Sequence, residues 1–244
     1  MDMAAWILAV LAAFSVGLAK GGLSMVGTIS VPLMALAMSP VQAAGILLPV
    51  FVVSDIGGLI AFRRSFDRRV LATLLPGAVT GILLGWATAS RVDDARVALI
   101  VGVIGVGFAL NTMLRHQPDA SARPPRWGAG SFWGVIAGYT SFVSHSGGAP
   151  YQVYAQPLRM SPMSYAGTTT IFFAICNAIK LLPYAMLGQL SLHNLSLAAV
   201  LLVPGVLGVL AGFWLLRRMS PLFFYRFITW ALLLVSVKLI LDGI

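Results

Sequence analysis

Apolar stretches of this chain are interrupted by ammonium groups, one carboxylate and short runs of glycine and hydroxyl residues. Such groups are costly inside a membrane unless they act on something. Leu18-Ala19-Lys20-Gly21-Gly22-Leu23-Ser24 supplies a cation, a double glycine and a hydroxyl. Ser141-Phe142-Val143-Ser144-His145-Ser146-Gly147-Gly148-Ala149-Pro150 supplies hydroxyls, a titratable imidazole, a second glycine pair and a helix-starting proline. Glycine pairs let a chain turn sharply and bring amide N–H groups close to a ligand. The N-terminus of a following half-helix adds partial positive charge and free donors. Both runs therefore offer donors and positive potential, and the chemistry that suits them is anion binding. The candidate binding residues are Lys20, Gly21, Gly22, Ser24, Ser144, His145, Ser146, Gly147 and Gly148, with Gln152 as an outer candidate.

A third set lies on the apolar span Met163–Met186, the most polar of the long ones, which carries Thr168-Thr169-Thr170, Asn177 and Lys180. Thr170, Asn177 and Lys180 follow at intervals of seven and three residues, so they share one helix face. That face must look into the bundle or a water path, which makes Asn177 and Lys180 further outer candidates. Asp55 is the one carboxylate inside a long span, about 12 Å along the helix from the basic cluster that starts at Arg63. It is the candidate for proton coupling. Each reading has a plain structural counterpart. Lys20 and Lys180 would snorkel to an interface, the glycine pairs would serve close helix packing, His145 would bond its own backbone, and Asp55 would form a static ion pair.

The elements that must hold these groups are membrane helices. With 59% apolar and 9% charged residues in 244 positions, and a mean hydropathy of +0.93, the chain is far below the roughly 25% charge of a soluble domain. Spans of about 20 residues cross the hydrocarbon core, and Val41–Phe62, Val70–Ser90, Ala95–Leu114, Met163–Met186, Leu195–Leu216 and Leu222–Leu241 qualify. Met3–Met38 and Ser131–Met160 would extend roughly 45–54 Å as single helices, against a core of about 30 Å. Each is a helix pair, broken at Lys20-Gly21-Gly22 and at Ser144–Gly148.

The pattern occurs twice. Met38-Ser39-Pro40 returns as Met160-Ser161-Pro162, and the same offset puts Gly45 on Gly167, Phe51 on Phe173 and Asp55 on Asn177. Pro76-Gly77 with Trp86 returns, six residues late, as Pro204-Gly205 with Trp214. The basic loops change places between the copies. Arg63–Arg69 is strongly basic while its counterpart Leu187–Asn194 has no Lys or Arg; Arg217-Arg218 matches Arg91–Arg96, whose arginines are balanced by Asp93 and Asp94. Under the positive-inside rule, the halves are inserted upside down relative to one another. The expected fold is an all-α polytopic membrane protein of about ten helical segments in two inverted repeats. Residues 1–114 form the first repeat, 115–128 a cytoplasmic linker with Arg115, Arg123 and Arg126, and 129–244 the second repeat. Eight crossings in parallel halves is the alternative.

A net charge of +9 would suggest nucleic acid in a soluble protein, but here the cations orient loops, and no aromatic-basic interleaving supports nucleic-acid binding. Cys176 is the only cysteine, which leaves no intrachain disulfide, and three scattered histidines with few carboxylates make metal ligation improbable. No cofactor is expected. The start of the chain does not read as a cleavable signal: Asp2 has the wrong sign and Lys20 follows the first apolar run.

At these residues the chain resembles the TauE/SafE family of anion transporters, often called sulfite exporters. The likeness runs over nearly the whole chain, through Gly17-Leu18-Ala19-Lys20-Gly21-Gly22, the Pro40 turn, Gly167-Thr168-Thr169 with Asn177 and Lys180, and the Pro-Gly repeats. The resemblance implies a secondary transporter that moves sulfite, a sulfonate or another small organosulfur anion across the bacterial cytoplasmic membrane. The resemblance does not rest on Ser144-His145-Ser146, and Ser24-Met25-Val26 departs from the glycine-richest family members. An anion channel is the second function class. An intramembrane enzyme is the third, disfavoured because adjacent Ser and His side chains diverge on a helix; no phosphate-cradling loop marks a nucleotide-driven pump.

Crossed basic loops place Arg63–Arg69 and Arg217-Arg218 on the same, cytoplasmic side. Cysteines at Ser65 and Ser220 in a Cys176→Ser background are expected to be shielded together from an impermeant thiol reagent added outside. Labelling of one without the other would refute the inverted arrangement.

Overall fold

The computed structural model describes residues 3–89, 94–114 and 122–244. Arg91 and Asp93 of the charge-balanced loop, and Arg115 of the linker, lie outside the described residues, as does the side chain of Ser144. The described chain is all-helical. It runs α1 (Met3–Lys20), a 3-10 turn (Ser24–Ile29) leading into α2 (Ser30–Ala35), α3 (Pro40–Phe62), α4 (Arg68–Thr88) and α5 (Asp94–Leu114). The second half runs α6 (Trp127–Ser144), α7 (Gly148–Ala155) with a 3-10 turn (Gln156–Leu158), α8 (Pro162–Met186), α9 (Leu192–Leu216) and α10 (Pro221–Asp242). Six of these, α1, α3, α4, α8, α9 and α10, are long and apolar enough to cross a membrane.

Both long apolar regions break within the polar runs that the sequence marks, Lys20-Gly21-Gly22 and Ser144–Gly148. The second member of each pair is short: Ser24–Ala35 and Gly148–Leu158 would extend only about 16–18 Å even as ideal α-helix. Neither reaches across a core of about 30 Å.

Local chemistry fixes the helix starts. The repeated Met-Ser-Pro string is the same device in both halves. Ser39 accepts from the Gln42 N–H at 3.3 Å and Ser161 from the Ser164 N–H at 3.2 Å, while the following proline takes the first helical position, where it needs no N–H. Asp67 caps α4 through the Arg69 and Val70 amides at 2.8 and 3.1 Å. Ser191 caps α9 and Ser220 caps α10.

The described chain divides into two compact units that each draw on both halves of the sequence. One comprises Met1–Phe66 and Ala166–Arg218, the other Asp67–Tyr165 and Met219–Ile244. In the first, α1 lies against α9; in the second, α4 lies against α6, and α5 against α10. Lipid tails are as apolar as leucine, so helices associate there by close packing, which small residues permit. On α9 one face buries Gly205, Gly208 and Gly212, while Val200, Val203, Leu207 and Leu210 on the other are more than half exposed. A Cβ at Gly212 would lie 2.6 Å from the Leu18 carbonyl oxygen of α1, and one at Gly21 would lie 2.5 Å from that of Val209. In the other unit Gly77 and Gly81 of α4 meet the carbonyls of Ser131 and Val135, and Gly134 and Gly138 of α6 meet those of Leu74 and Ala78.

These contacts allow no methyl group. Gly81→Ala is expected to cost about 1–3 kcal/mol through overpacking and to lower the melting midpoint of the detergent-solubilised protein. Gly107→Ala on α5, where a Cβ would meet nothing within 4 Å, should leave it unchanged or raised. Equal effects of the two would show that close approach does not hold α4 to α6.

Candidate functional site

The first break begins as a helix ending. The Leu23 N–H donates to the Leu18 carbonyl at 3.1 Å and the Gly22 N–H to that of Ala19 at 3.2 Å, with Gly22 at φ +122°. This pair of bonds closes a glycine-terminated helix and satisfies two of its last carbonyls. The two glycines therefore do different work: Gly22 makes the turn, and Gly21 lets α1 touch α9. Because the chain continues as a 3-10 turn beginning at half-buried Ser24, the α-helical N-terminus expected directly after the break does not form there.

Lys20, the last residue of α1, points into its own unit. Its Nζ lies 2.7 Å from Oδ1 of Asp55 on α3. The other oxygen, Oδ2, accepts from the Asn177 side-chain amide of α8 at 2.8 Å. The ammonium also stands 5.2 Å from the centroid of the Phe51 ring and 5.8 Å from that of Phe173, within reach of a cation–π interaction. A third α8 residue closes the arrangement from the backbone side. The Thr170 hydroxyl donates to the Lys20 carbonyl at 3.4 Å, and Gly58 admits that carbonyl, since a Cβ there would lie 2.8 Å from it.

Lys20 and Asp55 are 5% and 3% exposed and Lys180 is fully buried, which overturns the snorkelling alternative for both lysines. Lys180 stands one helical turn beyond Asn177, within electrostatic reach of Lys20, Asp55 and Cys176. The structure thus brings together Lys20, Gly21, Gly22, Asp55, Asn177 and Lys180 within one unit. Phe51, Phe173 and Gly58 join them; sequence reasoning did not select these three. The repeat offset carried the signal for the rings, because Phe51 and Phe173 are counterparts, as are Asp55 and Asn177. Both counterpart pairs converge on the same ammonium.

The second break lies in the other unit. His145, not a glycine, takes the left-handed conformation there, at φ 54°, and the Ser146 N–H donates back to the Thr140 carbonyl at 3.2 Å. Gly147 is right-handed at φ −61° and precedes α7. His145, Ser146, Gly147 and Gly148 are all buried. Gln152 on α7 has its amide nitrogen committed to the Gln156 side-chain oxygen at 3.1 Å and the Ile228 carbonyl at 2.9 Å. Gln156 in turn donates to the Thr229 hydroxyl at 2.5 Å. These bonds tie α7 to α10, so the Gln152 nitrogen holds the fold together in this arrangement.

Six long apolar helices, two polar breaks and a buried charge cluster define a multi-pass integral membrane protein built around polar groups at depth. The model of the sulfite exporter TauE/SafE family matches residues 7–239, and the chain belongs to that family of membrane transporters. No curated protein and no solved structure matches the chain.

Removing one partner of a buried pair leaves an uncompensated charge, at a cost of about 3–5 kcal/mol. Lys20→Met and Asp55→Leu are each expected to destabilise the solubilised protein on that scale, and the double variant by clearly less than their sum. Additive losses in thermal or denaturant unfolding would show that the two side chains are not coupled.

Proposed function

We propose that the protein is a secondary transporter that moves sulfite, a sulfonate or a related small organosulfur anion across the bacterial cytoplasmic membrane by alternating access of two inverted repeats. The observation that carries this reading is the Lys20 ammonium, held at the broken end of α1 between Asp55, Phe51 and Phe173. A cation whose partner is a titratable carboxylate suits a ligand that competes with that carboxylate. Repeat counterparts also gather at this point, Asp55 bonded to Asn177 and both Phe51 and Phe173 beside the Lys20 ammonium, as residues close to a pseudo-two-fold axis between repeats would. Lys20, Gly21, Gly22, Ser24, Asn177 and Lys180 form the binding set in one unit. Ser144, His145, Ser146, Gly147, Gly148 and Gln152 form the set in the other.

The coupling follows from the competition. With Asp55 ionised, its carboxylate occupies the Lys20 ammonium. A proton on Asp55 removes that charge, leaves Asn177 with a neutral partner and turns the ammonium toward an incoming anion. Proton and anion therefore load together and travel in the same direction. Asn177 matches Asp55 in shape but cannot titrate, which confines the proton step to one half of the repeat.

Asp55→Asn in reconstituted vesicles is expected to retain exchange of labelled sulfite and to lose uphill accumulation driven by a pH gradient. Uphill accumulation that survives in the variant rules out Asp55 as proton carrier. Failure of the wild-type protein to accumulate sulfite or a sulfonate against a gradient under any proton motive force would favour a channel instead.

A further inference from the structure

Arg63 and Arg64 directly follow α3, and Arg217 and Arg218 directly follow α9, all within one compact unit. The ends of these two helices meet. The rings of Phe62 and Phe213 pack edge to face with centroids 5.3 Å apart. The break after α1 lies in the same place, since a Cβ at Gly22 would stand 2.6 Å from the Leu216 side chain and 3.3 Å from the Phe62 ring. Each of these two contact residues immediately precedes an arginine. The Lys20 carbonyl stands beside Gly58, and only about 7–8 Å along the axis of α3 separates Gly58 from Arg63. The break that holds Lys20 is therefore at the end of the unit that carries all four arginines.

Those arginines are exposed, and among the described residues none has a carboxylate partner. Arg217 lies over the Phe213 ring at 5.8 Å from its centroid, and Arg218 over that of Trp214 at 4.0 Å. A guanidinium placed over a ring keeps its planar fork of N–H donors for an oxyanion. Resting on the anion-transport reading, we propose that Arg63, Arg64, Arg217 and Arg218 form an outer anion site, which gathers small sulfur oxyanions before they pass to the buried Lys20 ammonium. Lys20 is only 5% exposed, and its partner Asp55 repels an anion while ionised. Four like charges at the approach offset that repulsion and raise the local anion concentration, an effect of about 10–10³ on association in charged clefts. Exposed charges act through water and are screened by salt, whereas buried ones are screened much less. Salt dependence therefore tells the outer site from the inner one.

Iodide, an anion that quenches tryptophan, reads the outer site without transport. The Trp214 share of emission is the difference between the wild-type protein and Trp214→Phe in a neutral detergent at low salt. Iodide is expected to quench this share and sulfite to displace the iodide. Replacing all four arginines (R63Q, R64Q, R217Q, R218Q) should weaken iodide quenching about tenfold and leave quenching by neutral acrylamide unchanged. In vesicles that exchange labelled sulfite at equal concentrations on both sides, the same variant should raise the half-saturating concentration about tenfold at low salt and keep the maximal rate. Wild type and variant should converge as salt rises, which a fold defect would not produce. Iodide quenching that is equal in wild type and variant, or that sulfite fails to relieve, overturns the inference whatever the exchange assay shows. Relief by added phosphatidylglycerol instead of sulfite would assign the arginines to lipid headgroups and overturn it too. Relief by sulfite without any sulfite exchange would uphold the outer site and remove the transport reading.

Discussion

An ammonium and a carboxylate placed inside hydrocarbon cost several kcal/mol each after relaxation, and mutual pairing is what makes them tolerable. The Lys20–Asp55 contact at 2.7 Å sets the requirements that the surrounding chain meets. For Lys20 to reach Asp55, α1 must stop at that residue, and Gly22 in a left-handed conformation stops it. The carbonyl exposed by stopping needs a donor, which Thr170 provides. That carbonyl needs space against α3, which the missing side chain of Gly58 leaves open. The second carboxylate oxygen needs a donor too, and Asn177 provides it. A cation at the C-terminal end of a helix also meets the favourable end of the helix dipole. Four residues, Gly22, Gly58, Thr170 and Asn177, thus answer to one ion pair.

Glycine does a second job around this cluster. Without a hydrophobic force between helices in lipid, the α1–α9 contact rests on backbones that approach until a methyl group no longer fits, at Gly17, Gly21, Gly208 and Gly212. Such an interface resists sliding, because carbonyl oxygens sit in notches of fixed spacing. The same construction holds α4 to α6 in the other unit through Gly77, Gly81, Gly134 and Gly138. Under the repeat offsets α9 is the counterpart of α4 and α6 that of α1, so the two glycine contacts join corresponding elements.

Composition, helix lengths and both breaks were legible in the sequence, because apolar runs, glycine pairs and a lysine at mid-run leave few alternatives. The shared face of Thr170 and Asn177 was legible from spacing alone, and it is the face that meets Lys20 and Asp55. Other features were not. That the second break turns on His145 rather than on Gly147 or Gly148 depends on the bond from Ser146 to Thr140, which no residue pattern announces. The bonds that the Gln152 nitrogen makes to Gln156 and to the Ile228 carbonyl were not legible either, because the latter partner lies 76 residues further along the chain. Phe51 and Phe173 read as ordinary apolar positions, since a ring over an ammonium and a ring against lipid have the same sequence signature.

The interleaving of the two units has a bearing on how the protein is made. A unit assembled from a contiguous segment can settle while the rest of the chain is still being synthesised. Here Lys20 and Asp55 emerge early and can neutralise one another at once, but α1 must wait for its glycine-lined partner α9, and Asp55 for Asn177, until residues 166–218 follow. All of α4, α5, α6 and α7 is made in the interval, and their own unit stays open until α10 follows. Each unit is therefore completed only after helices of the other have been made. For most of its synthesis the nascent chain depends on the early ion pair, and on whatever shields its glycine faces in the membrane, to keep half-built bundles from pairing with the wrong neighbour.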